Sequence, residues 1–165
     1  MKSLNQYIKE KLIINKDYSD GKMYHPKSFD ELRKIIEDRY DKLGAGTKRN
    51  PIDFNDIDVS NLNSFCNDND KGIFEKTKFK YIDISSWDVS NVTNMTRMFC
   101  WCKELESIGD ISRWDVSKVN SMIHMFFDCK KFNQDISNWD VSNVMGRVGM
   151  FYGCPIKNEY EPKFK

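Results

Sequence analysis

One eight-residue block, Asp-Ile-Ser-x-Trp-Asp-Val-Ser, occurs three times in this chain of 165 residues, at residues 83–90, 110–117 and 135–142. A degenerate fourth copy, Asp-Phe-Asn-Asp-Ile-Asp-Val-Ser, precedes them at residues 53–60. The second aspartate of the block recurs at intervals of 30, 27 and 25 residues. A repeat of this length is typical of stacked supersecondary units, each burying its apolar face against its neighbours. We therefore expect the copies to stack on one another.

Each block continues into a tail with regularly spaced apolar residues. In the second copy these are Val92, Met95, Met98, Phe99 and Cys102, at offsets of 0, +3, +6, +7 and +10. This spacing is typical of one face of a helix. Apolar and polar residues are interspersed in the block itself, which indicates a short strand with one buried face. We therefore predict an α/β repeat of about four strand–turn–helix units, with a serine near the end of each block as the helix N-cap.

A longer helix is predicted before the repeats. Ser28 and Glu31 form a capping box, an apolar stripe follows, and Gly44 is placed as the C-terminal cap. A stack of repeats must cover the apolar face of its terminal unit, so we expect this helix to be an N-terminal cap. The predicted organisation is an amphipathic helix or leader at 1–14, a helical cap and linker at 15–51, four repeats at 52–154, and a C-terminal cap or tail at 155–165.

The repeat resembles that of a known family. Residues 87–102, Trp-Asp-Val-Ser-Asn-Val-Thr-Asn-Met-Thr-Arg-Met-Phe-Cys-Trp-Cys, are similar to the hallmark of the BspA-like leucine-rich-repeat family, the Mycoplasma-type repeats. Residues 132–144 match the preceding half of that repeat, and the resemblance covers residues 52–154. The resemblance implies a curved solenoid of the leucine-rich-repeat kind. It also implies that the chain is a short member of the family, of phage or bacteroidete type. In many relatives such a solenoid serves adhesion or partner binding.

The first residues allow two interpretations. Leu4, Tyr7, Ile8 and Leu12 follow helical spacing and predict an amphipathic helix that either packs on the first repeat or serves as a detachable leader. The start, Met-Lys-Ser-Leu-Asn-Gln-Tyr-Ile-Lys-Glu, also resembles the capsid-targeting peptides of internal proteins of T-even-like phages. That resemblance implies an alternative function, a phage-encoded structural or capsid-packaged protein addressed by its N-terminal segment.

Charge and hydropathy argue against several classes of partner. The net charge is +1 although 31% of residues are charged, which disfavours binding dominated by nucleic-acid phosphates. The sequence contains no apolar run of the roughly 18–20 residues needed to cross a bilayer. The polar start is unlike a signal peptide, and no lipidation motif is found. We expect a cytoplasmic protein, of a bacterium or an infected host cell, that binds neither nucleic acid nor membrane.

The cysteines, aspartates and tryptophans of the repeat each suggest chemistry, but each has a simpler structural interpretation. Cys102, Cys129 and Cys154 are in register with the apolar stripe, so we predict buried thiols rather than zinc ligands or disulfides. The two aspartates of a block, five residues apart on extended chain, would not face each other as a catalytic pair. We predict instead that one aspartate of each block accepts a backbone hydrogen bond at its turn. The repeated tryptophans are predicted to lie in the core.

No catalytic, phosphate-binding or dinucleotide-binding motif is present, so we predict a non-enzymatic protein without cofactor or metal. The function predicted from the sequence is binding of another protein through exposed positions that vary between copies. Trp101, Phe127 and Tyr152 each follow the repeat phenylalanine by one or two residues and are expected to form an aromatic edge that anchors the partner. The candidate contact residues are Tyr81, Arg97, Trp101, Arg113, His124, Phe127, Lys130, Arg147 and Tyr152.

Overall fold

The computed structural model describes residues 22–164. Within them lie one α-helix, α1 (Phe29–Leu43), two short parallel strands, β1 (Ile52–Asp53) and β2 (Ile82–Asp83), and a 3-10 helix (Asn158–Tyr160). Turns and irregular segments make up most of the remainder. No helix of the described part has the length and apolarity required to cross a bilayer. The predicted amphipathic segment 1–14 lies outside the described residues.

Both ends of α1 are capped by the residues that the sequence indicated. The hydroxyl of Ser28 accepts a hydrogen bond from the amide of Glu31 at 3.2 Å. The Glu31 carboxylate accepts one from the amide of Lys27 at 2.7 Å, one residue before the N-cap. At the other end Gly44 has a φ of 74°, and its amide donates to the carbonyl of Tyr40 at 2.8 Å. The bonds of Ser28 and Gly44 satisfy groups that a helix end leaves without partners, and the bond to Lys27 fixes the segment that leads into the helix.

α1 packs on the first copy of the repeat. Leu32, Ile35 and Ile36 are buried and belong to the same core as the repeat residues. Arg39 binds the carboxylate of Asp56, in the first block, at 2.7 Å. The helix therefore adds its apolar face to the end of the repeat region.

The predicted helix in each repeat tail is wrong: in the second copy, for example, residues 95–102 form two consecutive turns instead. The amide of Met98 donates to the carbonyl of Met95 at 3.2 Å, and the amide of Cys102 donates to that of Phe99 at 3.1 Å. The first and fourth residues of both turns are buried, so the buried positions fall at i, i+3, i+4 and i+7. A helix face has the same spacing. The same apolar spacing is thus compatible with either a helix or consecutive turns.

The turns leave alternate amides available to the next copy. The amides of Met95, Arg97, Phe99 and Trp101 donate, at 2.8–2.9 Å, to the carbonyls of Ser121, Ile123, Met125 and Phe127, respectively. An α-helix would use these amides internally and could not make this ladder. The tail also contains Thr93, Asn94 and Thr96, which are weak helix formers. Because the tail has no helix, the predicted N-cap role of the block serine is wrong as well.

Each of these two turns places its third residue in the left-handed region. In the second copy these residues are Arg97 and Trp101, with φ of 54° and 63°, and in the third copy His124 and Asp128, with 54° and 59°. A positive φ at this position is the mark of a type II turn and is normally supplied by glycine. The last copy follows that preference with glycines at both positions, Gly149 and Gly153.

Aromatic side chains run through the core from copy to copy. The ring centroids of successive phenylalanines are 5.3, 5.3 and 5.9 Å apart, with interplanar angles of 14° or less. Trp114 stacks on Trp139 at 6.1 Å. The tryptophans of all three full blocks are buried, which confirms their predicted core position. The stacked phenylalanines are Phe74, Phe99, Phe126 and Phe151.

Both aspartates of each block accept a backbone hydrogen bond, whereas the sequence analysis assigned this role to one. Asp83 accepts from the amide of Ser85 at 2.9 Å, and Asp88 accepts from that of Ser90 at 3.0 Å. A bond to the residue two positions later defines an Asx turn, which reverses the chain. The same bond is made by Asp53, Asp58, Asp110, Asp115, Asp135 and Asp140.

Candidate protein-binding surface

Three aromatic side chains from successive copies form a column on the outside of the repeat region. The rings of Trp101 and Phe127 are 5.4 Å apart, and those of Phe127 and Tyr152 are stacked at 5.0 Å. The side chains at the two ends remain exposed, Trp101 by 39% and Tyr152 by 69%. Trp101, Phe127 and Tyr152 are called the aromatic column below. The predicted aromatic edge is thus a contiguous surface.

Trp101 lies at a strained backbone position. Its φ of 63° is shared by the equivalent residues Lys76, Asp128 and Gly153, at 60°, 59° and 70°. For a bulky L-residue, the left-handed region costs on the order of 1–2 kcal/mol. In the third and fourth copies the aromatic residue lies one position earlier, so it does not occupy the left-handed position.

Positive charges surround a buried carboxylate beside the column. The ammonium of Lys103 lies 5.1 Å from the centroid of the Trp101 ring, within the range of a cation–π interaction. The same ammonium is 3.7 Å from the carboxylate of Asp128, which Lys130 also binds. Asp128 is only 7% exposed, whereas both lysines are exposed. The surface therefore combines aromatic rings with two cations that are held in place by one carboxylate.

Five of the nine predicted contact residues lie together. Three form the aromatic column, and His124 contacts Phe127 edge to face at 5.1 Å. Lys130 joins them through Asp128, whose amide donates to the carbonyl of Tyr152 at 2.7 Å. These residues come from different copies, and the stacking brings them to one surface.

Tyr81 and Arg113 make other contacts. The Tyr81 hydroxyl donates to the carboxylate of Glu106, and this hydrogen bond raises the pKa of Tyr81. Arg113 is exposed and acts on Asp110. The pKa of Asp110 is lowered mainly by its bond from the Ser112 hydroxyl and further by the charge of Arg113.

Arg97 and Arg147 belong to the turn segments but lie outside the aromatic column. Arg97 holds the position that His124 holds one copy later, and it is half-buried. The guanidinium of Arg147 lies 4.9 Å from the ring centroid of Phe164, near the end of the chain. This contact links the last copy to the C-terminal segment.

Lys103 and Asp128 were not predicted from the sequence as parts of the surface. A signal for Asp128 does exist, because aspartate is enriched at left-handed positions. No feature of the sequence indicated Lys103, since a lysine beside charged neighbours is common on protein surfaces.

Arg33 is the other residue that the sequence analysis missed. Its guanidinium donates to the carbonyls of Ile73 and Glu75, at 2.7 and 3.3 Å. These are the equivalents of the Met98 and Cys100 carbonyls, which accept the ladder bonds of the preceding copy. Arg33 therefore occupies the carbonyl row that the first copy would otherwise present at its edge.

The cysteines are free, and most are buried. The thiols of Cys102 and Cys129 donate to the carbonyls of Phe74 and Phe99, both at 3.0 Å. Burial raises the pKa of Cys102 to about 12, and it raises that of Cys129 as well. Cys154, the third member of the ladder, is half-buried. Within residues 22–164, histidine, cysteine and acidic side chains form no group of three or more able to hold a metal ion.

Comparison with known proteins identifies the repeat region. No curated protein and no solved structure matches the chain significantly. The sequence model of one family, described as "Mycoplasma protein of unknown function, DUF285", matches residues 50–162. This match includes all four copies of the block and the aromatic column, and it covers more than half of the chain. The chain belongs to this DUF285 family.

Proposed function

We propose that the chain is a non-enzymatic protein-binding module whose contact surface is the aromatic column with its flanking cations. We further propose that its four copies form a solenoid of the BspA-like leucine-rich-repeat kind, with α1 as the N-terminal cap. The partner is another protein. Its contacts would centre on Trp101 and Tyr152, at the exposed ends of the column.

The observation that carries this proposal is the exposed Trp101, which packs against Phe127 in the aromatic column. Tryptophan, tyrosine and arginine dominate the energetics of protein interfaces, typically near the centre of the contact. The column presents two such residue types on a rigid ladder of backbone hydrogen bonds, so that little side-chain freedom is lost on binding. Lys103 and Lys130 at its side favour a partner with acidic residues around an apolar centre.

The residues best suited to chemistry have structural tasks. The block aspartates accept the bonds that close their own turns. The Cys102 thiol is buried, and its raised pKa keeps it protonated and therefore a poor nucleophile. This use of the reactive groups favours a binding function over a catalytic one.

The experiment is affinity capture with the immobilised chain, followed by mass spectrometry and by measurement of Kd with the purified partner. The Trp101→Ala variant should bind the partner at least about thirtyfold more weakly, because truncation of a central aromatic costs about 2 kcal/mol or more. Asn138→Ala, an exposed change in the fourth block, is the matched control and should leave Kd unchanged. Equal binding by the wild type and Trp101→Ala would refute the aromatic column as the contact surface.

The same capture separates the alternative prediction, a packaged phage protein addressed by residues 1–14. A chain beginning at Asp17 should still capture the partner if the repeats bind it. Capture of a capsid or scaffold protein by the full chain alone would favour the N-terminal segment instead.

A further inference from the structure

The last copy of the repeat ends in a row of backbone amides without acceptors among residues 22–164. In the second and third copies, the amides at four alternate tail positions donate to the next copy. The fourth copy keeps the same turns, in which the amide of Met150 donates to the carbonyl of Arg147 and that of Cys154 to the carbonyl of Phe151, but no copy follows it within the described residues. The equivalent amides, here called the open amide row, are those of Arg147, Gly149, Phe151 and Gly153.

This edge can donate hydrogen bonds but has little capacity to accept them. The carbonyls of Arg147, Gly149 and Phe151 already accept the turn bonds of their own copy. The intervening carbonyls of Val148 and Tyr152 accept bonds from the third copy. Pairing of two such edges with each other is therefore disfavoured, because the open amide row of one would face that of the other and present donors to donors.

At the opposite end of the repeat region, the first copy has the complementary row of carbonyls, but this row is covered. Arg33 binds the carbonyls of Ile73 and Glu75, and α1 packs on the same copy. A second copy of this chain thus cannot add head to tail without removing the helix. At the C-terminal end the following segment contacts the block, where the amide of Ile136 donates to the carbonyl of Tyr160 at 3.0 Å. In the turn segment of that copy, which carries the open amide row, the Phe164 ring lies 4.9 Å from the guanidinium of Arg147, while Met145 and Val148 remain exposed.

Apolar side chains flank the open amide row. Met145 is 86% exposed and Val148 is 71% exposed. Val148 holds the position of Ile123, which is half-buried between its neighbouring copies. Exposed apolar groups beside unpaired backbone donors are the features of a sheet edge that accepts an added strand.

We propose that the open amide row binds a partner protein through a repeat of this same kind whose carbonyl row is uncapped. The contact between the second and third copies shows the required chemistry, in which carbonyls at alternate residues meet the four amides. This surface is distinct from the contact at Trp101 and goes beyond the proposed function. The chain would extend a repeat stack in one direction only, because Arg33 closes the other end.

The test uses the full chain and a synthetic peptide of residues 118–130, the segment that receives these bonds from the second copy. Amide hydrogen exchange of Arg147, Gly149, Phe151 and Gly153 is followed by NMR during titration with the peptide. At saturation, exchange at these amides should slow by at least about tenfold, because each gains an acceptor. No slowing, or equal slowing with a peptide of the same composition in reversed order, would overturn the proposal.

Matched variants locate the contact. Val148→Lys places a charge against the apolar part of the peptide and should abolish the slowing of exchange. Asn138→Lys adds the same charge to the block of the same copy and should leave the slowing intact. Trp101→Ala should also leave it intact, so that failure of the aromatic column and failure of this edge are distinguishable. Unchanged slowing in the Val148→Lys variant would place the peptide elsewhere and refute the assignment.

Discussion

The guanidinium of Arg33 donates to the carbonyl of Ile73 at 2.7 Å, across 40 positions of the sequence. The same group reaches the carbonyl of Glu75 at 3.3 Å. In the later copies the equivalent carbonyls accept amides of the neighbouring copy. At the N-terminal end of the repeat region, the Arg33 side chain thus donates the hydrogen bonds that a preceding copy of the repeat would otherwise supply.

Replacement of Arg33 should therefore destabilise the chain more than its position on a helix surface suggests. We expect Arg33→Leu to lower the free energy of unfolding by about 1–3 kcal/mol, because it leaves the two carbonyls without their donors. The Arg33→Lys variant should retain only part of the wild-type stability, since an ammonium lacks the planar guanidinium geometry that reaches both carbonyls. Urea denaturation measures this, with the exposed Lys34→Leu as the control. A loss equal to that of the control would contradict the role of Arg33.

Removal of a core tryptophan tests the packing of the blocks. Trp114 is buried and stacks on Trp139 at 6.1 Å. Trp114→Ala should lower the free energy of unfolding by about 3–5 kcal/mol, because it opens a large cavity in a stacked core. Thermal or urea denaturation provides the measurement. A nearly neutral result would be incompatible with a buried ring.

A subtler comparison separates Trp114 from Trp139. The indole nitrogen of Trp139 donates to the carbonyl of Ile111 at 2.9 Å, whereas that of Trp114 has no acceptor among the described residues. Trp139→Phe should therefore cost about 1 kcal/mol more stability than Trp114→Phe, the difference being one buried hydrogen bond. Both variants are compared by urea denaturation under the same conditions. Equal losses would mean that the bond contributes nothing to the net stability.

Substitutions at Trp101 should rank by their tolerance of a positive φ. Asparagine enters the left-handed region readily, whereas a β-branched residue does not. We expect Trp101→Val to be less stable than Trp101→Asn by about 1–2 kcal/mol. Thermal unfolding of the two variants measures the difference. The reverse order would show that the backbone at this position is not left-handed in solution.

Acid should destabilise the repeats through the block aspartates. Hydrogen bonds from Ser112 and Ser137 lower the pKa of Asp110 and Asp135 in the folded chain. The stabilising effect is therefore complete above the unfolded pKa of about 3.9 and is lost as the pH falls through the lower folded values. In the Ser112→Ala variant, the pKa of Asp110 should rise toward its ordinary value while that of Asp135 stays low. NMR titration of the carboxyl carbons measures both, and an unchanged Asp110 would contradict the assigned cause.

Local rules were sufficient for several elements. Ser28, Glu31 and Gly44 predicted both ends of α1, because capping depends on residues within one turn of the helix end. The burial of Trp87 and Cys102 followed from their recurrence in phase with the other apolar positions. The aspartate turns were also predicted, although for only one of the two aspartates in each block, since each bond spans two residues.

The amino-acid sequence by itself determined which residues are buried and how often the unit repeats, because both follow from the spacing of apolar side chains. Only the tertiary structure decided that Met95, Met98, Phe99 and Cys102 belong to turns rather than to a helix. Both conformations bury the same positions, and the choice between them depends on carbonyls about one repeat away in the chain. The bond of Arg33 to Ile73 and the stacking of Trp101 on Phe127 have the same origin. These contacts between copies form only when the copies are stacked, so they cannot be predicted from local patterns in the sequence.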